Sequence, residues 1–268
     1  MIFKTKTKSF NLAEKTLVMG ILNITPDSFS DGGKYNSVNC AIERALKIQN
    51  EGADILDIGG QSTRPGFIKI SPEEEFKRLE EVLLSLRGKI KIPISIDTFY
   101  PEVAEKCMCL GAEIINDVSG TTNKEMISIA KNHKCGLVIT HNENNINIKN
   151  FFKNKLDECL ELGLEKDYLC FDPGIGFSKN QNQDAYIIRN LKNLRLESNA
   201  ILVGLSRKRV IGINCGNPPP EERIFGTIAA NTLCINQGAN IIRVHDVAAA
   251  VQAAKVADGI LKGTCDDE

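Results

Sequence analysis

The sequence predicts a single-domain (β/α)8 barrel (TIM barrel) over residues 1–268, with its working site at the C-terminal ends of the strands. Three observations carry this. Eight apolar runs each end in a polar residue: 17–23, 55–57, 92–97, 114–116, 137–141, 168–172, 201–206 and 241–245. Most of the stretches between them have the length and amphipathic spacing of a helix. The chain has 268 residues, and closing eight strand–helix units takes about 250. A doubly wound open sheet gives the same alternation, but the number of units and the length favour closure. In a barrel the residues that end the runs gather at one mouth: Asn23, Asp57, Asp97, Asn116, His141, Asp172, Ser206 and His245.

The units follow in order. The first strand, 16–25, leads through a turn-rich loop, 26–35, to a helix from Ser37, a residue type that caps helix N-termini. The second strand, 54–60, is followed by the loop 61–70 and a helix starting Ser71-Pro72-Glu73-Glu74. That run sets a cap, a proline whose missing N–H is not needed there, and acids against the positive end of the helix dipole. The third unit pairs 92–98 with a short helix, 101–110, and the fourth pairs 114–120 with 124–132. The fifth pairs 136–141 with 149–163, the sixth 168–174 with a weaker helix near 184–192. The seventh pairs 200–206 with 220–237, and the eighth 240–245 with 246–262. The asparagine-rich segment 142–150 reads as an exposed, mobile loop, and 263–268 as a disordered tail.

Composition excludes several classes. The chain is 42% hydrophobic and 25% charged, with net charge −1, so neither nucleic acid nor an acidic membrane surface is an expected partner. Its cysteines number nine, an odd count. Cys135, Cys170 and Cys234 lie in apolar runs, where a thiol packs as a small hydrophobe. Cys107 and Cys109 point to different sides of one helix, and no C-x-x-C or Cys/His spacing suggests zinc. His133 falls in a helix and reads as an ordinary surface residue. Reduced thiols, a start that lacks the pattern of a signal peptide, and no apolar run of about 18 residues lead to the expectation of a cytoplasmic protein without a membrane span.

Two chemistries converge at the expected mouth. Asp97, Asn116 and Asp172 end nonadjacent strands. A carboxylate there can accept two parallel N–H bonds from the edge of a flat amino-heterocycle, as it does from a guanidinium fork. The cations form a second group: Arg64 after strand two, Ser206-Arg207-Lys208-Arg209 after strand seven, and Arg243 and His245 on strand eight. The loops after the last two strands, with a helix N-terminus, recur as a phosphate site in barrels. Asn23 offers an amide oxygen suited to Mg2+, which keeps most of its waters and substrate oxygens. The loop after Asn23, with Gly32-Gly33, can close over a ligand. His141 is as readily structural as catalytic.

Seven segments resemble, in order, the motifs of the dihydropteroate synthase family. They are Asn23-Ile24-Thr25-Pro26-Asp27-Ser28-Phe29-Ser30-Asp31-Gly32-Gly33; Asp57-Ile58-Gly59-Gly60-Gln61-Ser62-Thr63-Arg64-Pro65-Gly66; Ser95-Ile96-Asp97-Thr98; Asn116-Asp117-Val118-Ser119-Gly120; Phe171-Asp172-Pro173-Gly174-Ile175-Gly176-Phe177; Gly204-Leu205-Ser206-Arg207-Lys208; and Arg243-Val244-His245-Asp246. Any one is weak; seven in order are specific. The resemblance implies a transferase of folate biosynthesis that joins 6-hydroxymethyl-7,8-dihydropterin diphosphate to 4-aminobenzoate and releases diphosphate. It implies Asp97, Asn116, Asp172, Phe177 and Lys208 around the pterin, and Arg243 flanking the ring. Arg243, His245, Arg64 and Asn23 would engage diphosphate and Mg2+. Thr63, Pro65 and Ser206 would line the aminobenzoate site, closed over by Phe29 and Asp31. Lys208, Arg243, His245 and Asp97 are the implied catalytic set. A homodimer through late outer helices is also implied, with Ile228, Leu233 and Ile235 as a candidate face. The chain departs from the family pattern at Gln61 (usually Glu), at Thr140 and Asn142 (usually Met on each side of the histidine), and at Ser178 (commonly Gly). A methyltransferase acting on methyltetrahydrofolate and a corrinoid would share the pterin residues but has no use for the cationic set. A non-catalytic pterin-binding paralogue would bind without forming product.

Overall fold

The structure is a computed structural model that describes residues 1–24, 33–61, 68–120 and 122–263, with side chains for all of these except 33–37. Two short strands come first, β1 (Ile2–Lys4) and β2 (Ser9–Asn11), paired as an antiparallel hairpin. The expected barrel follows: β3 (Leu17–Asn23), β4 (Ile55–Gly59), β5 (Ile94–Asp97), β6 (Ile114–Asp117), β7 (Gly136–Thr140), β8 (Leu169–Asp172), β9 (Ala200–Val203) and β10 (Ile241–Val244). All neighbours are parallel, and β10 pairs with β3 to close the ring. The helices are α1 (Gly33–Asn50), α2 (Pro72–Leu86), α3 (Pro101–Cys109), α4 (Lys124–His133), α5 (Ile148–Glu161), α6 (Gln181–Leu194), α7 (Arg209–Asn214), α8 (Ile224–Asn236) and α9 (Val247–Lys262).

Local signals set the helix starts. Ser71 accepts from the Glu74 amide at 3.2 Å with Pro72 behind it, as the sequence predicts. α6 is longer than expected, because Asn180 and Gln183 form a reciprocal capping box in front of it. α1 starts at Gly33, so the expected cap Ser37 lies inside it. The segment 142–150 is not a free loop. Asn142 donates to the Val118 carbonyl (3.1 Å) and accepts from the Ser178 hydroxyl (2.7 Å), and α5 begins at Ile148. Gly263, in the left-handed region at φ 65°, ends α9; residues 264–268 of the expected tail lie outside the described residues.

Two elements escape the sequence reading. α7 is six residues long and follows β9 directly. The β1–β2 hairpin sends Phe3 and Leu12 into a cluster with Leu17, Met19, Ile55, Ile114, Val138, Cys170, Ala200, Leu202 and Ile241. These are inward-facing residues of the strands, so the hairpin seals the lower end of the barrel. The alternate residues, such as Val18, Leu56, Ile96, Ile115, Ile139, Phe171, Ile201 and Ile242, pack outward against the helices. A parallel strand buried on both sides reads as a continuous apolar run, which is why the eight runs were legible.

Candidate active site

The two-residue period of a strand decides which strand-end residues share the barrel interior. Counting up from Ile55, Ile114, Val138, Cys170 and Ile241 in the inner cluster, the inward positions are Asp57, Asn116, Thr140, Asp172, Arg243 and His245. Asp97 joins them by register, opposite Asn116 and Gly59. His141 has the other parity, that of Leu137 and Ile139. It is fully buried, with its ring edge-on to Phe151 of α5 at 4.9 Å between centroids. Burial and the nearby Lys179 push its pKa down to about 4. His141 is a neutral packing residue and not part of the mouth.

Arg243 is the hub of the site. Its Nε donates to Asp57 Oδ2 and its Nη2 to Asp97 Oδ2, both at 2.7 Å. Asn116 Nδ2 reaches the same Asp57 oxygen at 3.3 Å. Burial works against the guanidinium charge, but Asp57 and Asp97 outweigh it and raise its pKa further. Asp97 is pushed up by burial, pulled down by Arg243 and pushed up again by Asp57 and Glu75. Its Oδ1 is buried with no partner among the described residues, so an acceptor stands ready for a ligand N–H.

Asp172 and Lys208 form the opposite side. Asp172 Oδ1 accepts from the Gly174 amide at 2.8 Å, leaving Oδ2 for the interior. Lys208 Nζ donates to the Ile175 carbonyl and lies 4.3 Å from the Phe177 ring centroid. Burial lowers the Lys208 pKa to about 8, with Asp172 opposing; burial also raises that of Asp172. Gly176, at φ 79°, lets the Lys208 stem cross, since a Cβ there would meet Lys208 Cδ at 2.8 Å. A Cβ on Gly204 would stand 3.8 Å from Lys208 Nζ and 3.9 Å from Asp172 Oδ2. The missing side chain therefore leaves open floor between the two charges.

The third corner joins the last two strand–helix turns. Ser206 Oγ accepts from the His245 amide at 3.1 Å and lies 2.9 Å from Nδ1 of the same residue, which fixes the imidazole. Arg44 of α1 donates to the His245 carbonyl at 2.7 Å. Arg207, in the left-handed region at φ 62°, makes a two-pronged pair with Asp246 at 2.6 and 3.0 Å. Asp246 is the N-cap of the 16-residue α9. The positive end of that helix thus opens beside Ser206 and His245, which suits an anion.

A family model described as pterin binding enzyme matches residues 19–245. The chain belongs to the pterin-binding enzyme family, among the dihydropteroate synthases. It is 40% identical over 268 residues to a dihydropteroate synthase of Clostridium beijerinckii (97% of this chain, 99% of that one). It is 39% identical to one of Bacillus subtilis (97% and 94%). A crystal structure of dihydropteroate synthase from Clostridium difficile, determined in the presence of pteroic acid, superposes with a TM-score of 0.90 at 41% identity, covering 94% of this chain and 99% of that one. The Xanthomonas albilineans enzyme with 4-aminobenzoic acid also gives 0.90, at 36% identity and 97% of both chains.

For a pterin-binding enzyme the described part of the predicted set is brought to one mouth: Asn23, Asp97, Asn116, Asp172, Phe177, Ser206, Lys208, Arg243 and His245. Phe29, Asp31, Thr63, Arg64 and Pro65 lie outside the described residues. Two residues take part in ways that the sequence does not show. Asp57 was one run end among eight, and only the barrel shows it holding Arg243 and Asn116. Lys179 is 5% exposed and donates to the carbonyls of His141 (2.7 Å), Gly174 (3.2 Å) and Phe177 (3.4 Å). It ties down the turn that carries the Asp172 cap, and no sequence signal marks a lysine as buried. Gln61 is buried at the end of β4, where Glu75 also lies buried. A second carboxylate at position 61 would repel Glu75 there.

Proposed function

We propose that the chain is a transferase that condenses 6-hydroxymethyl-7,8-dihydropterin diphosphate with 4-aminobenzoate, yielding 7,8-dihydropteroate and diphosphate in folate biosynthesis. The observation that carries this is one mouth holding an acid–amide edge (Asp97, Asn116, Asp172) beside a cationic corner (Lys208, Arg243, His245 and the α9 N-terminus). A methyl-transferring relative has no use for that corner. The likeness to dihydropteroate synthases along the whole chain supplies the substrates; one such structure, from Xanthomonas albilineans, holds 7,8-dihydropteroate.

Asp172 Oδ2 and Asp97 Oδ1 accept the N–H groups of the aminopyrimidinone edge, Asn116 complements them, and Lys208 donates from the other side over Phe177. The diphosphate lies toward Arg243, His245 and the α9 N-terminus. The pterin methylene C–O bond breaks first and its electron pair leaves with diphosphate. The resulting cation is delocalised into the dihydropterin ring, next to the carboxylates of Asp57 and Asp97. The amine lone pair of 4-aminobenzoate then forms the C–N bond, and the amine proton is released. No side chain acts as a nucleophile; catalysis is positioning and stabilisation of the leaving group's charge. Ser206 borders the aminobenzoate position, and Thr63, Arg64, Pro65, Phe29 and Asp31 are assigned there and at the diphosphate by likeness.

Mg2+ fits Asn23. This residue ends β3 partly exposed at the mouth, with Oδ1 3.6 Å from the Cβ position of Gly59. A single neutral amide oxygen leaves most of the coordination sphere to water and diphosphate, as Mg2+ prefers. When bound, Mg2+ neutralises charge on the leaving diphosphate. A sulfonamide presents the same aniline group as 4-aminobenzoate and competes for its place; such a drug is bound to the Yersinia pestis relative.

A homodimer through α8 and α9 is part of the proposal. Phe225, Leu233, Val256, Ile260 and Leu261 are exposed on these two helices. Of the face expected from sequence, Leu233 is exposed, Ile228 packs partly against the core, and Ile235 is buried in it. Light scattering on the protein and on Phe225→Asp tests this, a monomeric parent overturning it. A cytoplasmic setting is proposed on the eight free thiols among the described residues. No helix among the described residues is long and apolar enough to cross a membrane.

The deciding experiment measures diphosphate release from the pterin diphosphate, 4-aminobenzoate and Mg2+, leaving out each in turn. Release coupled to dihydropteroate is expected. Pterin binding without product would instead favour a non-catalytic paralogue. Retention of a labelled bridging oxygen on the pterin would exclude C–O cleavage.

A further inference from the structure

A second cluster lies at the opposite end of the barrel. Helices run antiparallel to the strands they follow, so the last residues of α3 and α4 sit on the lower rim, away from the mouth. Cys109 is the last residue of α3, and His133 the last of α4. Glu105 is one turn before Cys109. Cys109 Sγ, Glu105 Oε1 and His133 Nε2 all lie within 4.8 Å of one another. His133 Nε2 is 2.9 Å from Glu105 Oε1, and Cys109 Sγ is 3.8 Å from the same oxygen.

We propose that Glu105, Cys109 and His133 form a surface Zn2+ site that clips α3 to α4 and keeps a fourth position for water. A tetrahedral Zn2+ with ordinary bond lengths to sulfur, nitrogen and oxygen sets its ligand atoms roughly 3.4–3.6 Å apart. Two of the present separations, 2.9 and 3.8 Å, bracket that range. The remaining edge closes by rotation of Cys109 and His133 about their side-chain bonds.

Three features make this more than a histidine–carboxylate pair. The donor set is thiolate, imidazole and carboxylate, which selects a borderline-soft ion and not Mg2+. A thiolate and a carboxylate together cancel the charge of the ion. The ion would also sit beside the last turns of two helices, where the negative poles of their dipoles favour a cation. Cys109 is exposed and His133 partly so, so an ion can enter. Sequence spacing could not reveal the site. Glu105 and Cys109 are one helical turn apart, but the third ligand comes from the next helix.

The test uses the full-length protein, stripped with a chelator and titrated with Zn2+, then with Co2+ as a spectroscopic stand-in. One Zn2+ per chain is expected at this site, retained in excess Mg2+, with a rise in thermal midpoint that grows with Zn2+. The Co2+ form should show a thiolate-to-metal charge-transfer band. Cys109→Ser should remove the band, and His133→Ala should weaken Zn2+ by about tenfold or more, since even outer-shell losses cost 10–100-fold. Both variants should keep dihydropteroate formation, because they lie at the far end of the barrel. Circular dichroism shows whether each variant is folded. A band that survives Cys109→Ser, or Zn2+ affinity unchanged in both variants, overturns the assignment. So does failure of the parent to take up the ion.

Discussion

Gly204→Ala separates the pterin floor from the fold. Gly204 is buried just past β9, its φ lies outside the left-handed region, and the added Cβ would sit at 3.8 and 3.9 Å from Lys208 Nζ and Asp172 Oδ2. Both are ordinary contacts, so the folded state accepts the methyl. The unfolded chain loses freedom, and stability should hold or rise by about 0.5 kcal/mol. A ligand fares differently. A flat ring bonded to both groups at about 2.9 Å brings its atoms within about 3 Å of the new carbon, closer than the roughly 3.5 Å that contact allows. The ring must move by about half an ångström, which stretches one charge-assisted hydrogen bond beyond its working length. That costs about 1.5–3 kcal/mol, or roughly 10- to 150-fold in affinity. Calorimetry with a diphosphate-free 6-hydroxymethylpterin reads the loss, and urea unfolding reads the stability. Affinity within about threefold of the parent, with stability unchanged, would show that Asp172 and Lys208 do not grip one ring across Gly204.

Glu75 is fully buried, accepts from Thr98 at 2.9 Å, and is raised by burial from 4.5 to about 7. The folded state therefore keeps a proton that the unfolded chain has released, so stability falls as pH rises from about 4.5 to about 7 and is level above. Glu75→Gln should remove its share of this dependence, at most about 3 kcal/mol, in urea midpoints measured across the window, with the share of Asp97 remaining; an unchanged slope would place the titration elsewhere. Arg207→Ala removes the pair with Asp246 and should weaken diphosphate binding by about tenfold while leaving diphosphate-free pterin unaffected. Equal losses of both ligands would refute the division of the mouth into two corners. Lys179→Met leaves the His141 and Phe177 carbonyls without the ammonium donor, while that of Gly174 keeps the Phe177 amide, and should cost about 2–3 kcal/mol in chemical denaturation, together with a loss of pterin affinity. A variant as stable as the parent would mean that water replaces the ammonium.

The strands were legible because burial on both sides makes each a continuous apolar run, and the order of the motifs named the mouth. Asp97, Asn116 and Asp172 are selected because a polar group ending a buried strand is costly without a role, and Lys208, Arg243 and His245 because they are cations on or after the last two strands, where barrels bind phosphate. The run itself carries no phase, however. His141 ends its run as Asp172 does, yet it faces outward against Phe151, and only the register of the inner cluster separates the two. Burial of a cation is equally silent in sequence: Lys179 and Lys208 both follow glycine-containing turns, and only the fold shows one gripping carbonyls and the other the site.

The sequence by itself determined the barrel, the end of it that works, and the two kinds of ligand group that the mouth presents. These depend on periodicity and residue type, which are local. The tertiary structure decided which groups touch. Arg243 is bound by Asp57 and Asp97, 186 and 146 residues away, and the last turns of α3 and α4 set a thiol beside an imidazole. Such contacts follow from closure of the sheet and from helix packing, and these bring together residues that no spacing along the chain relates.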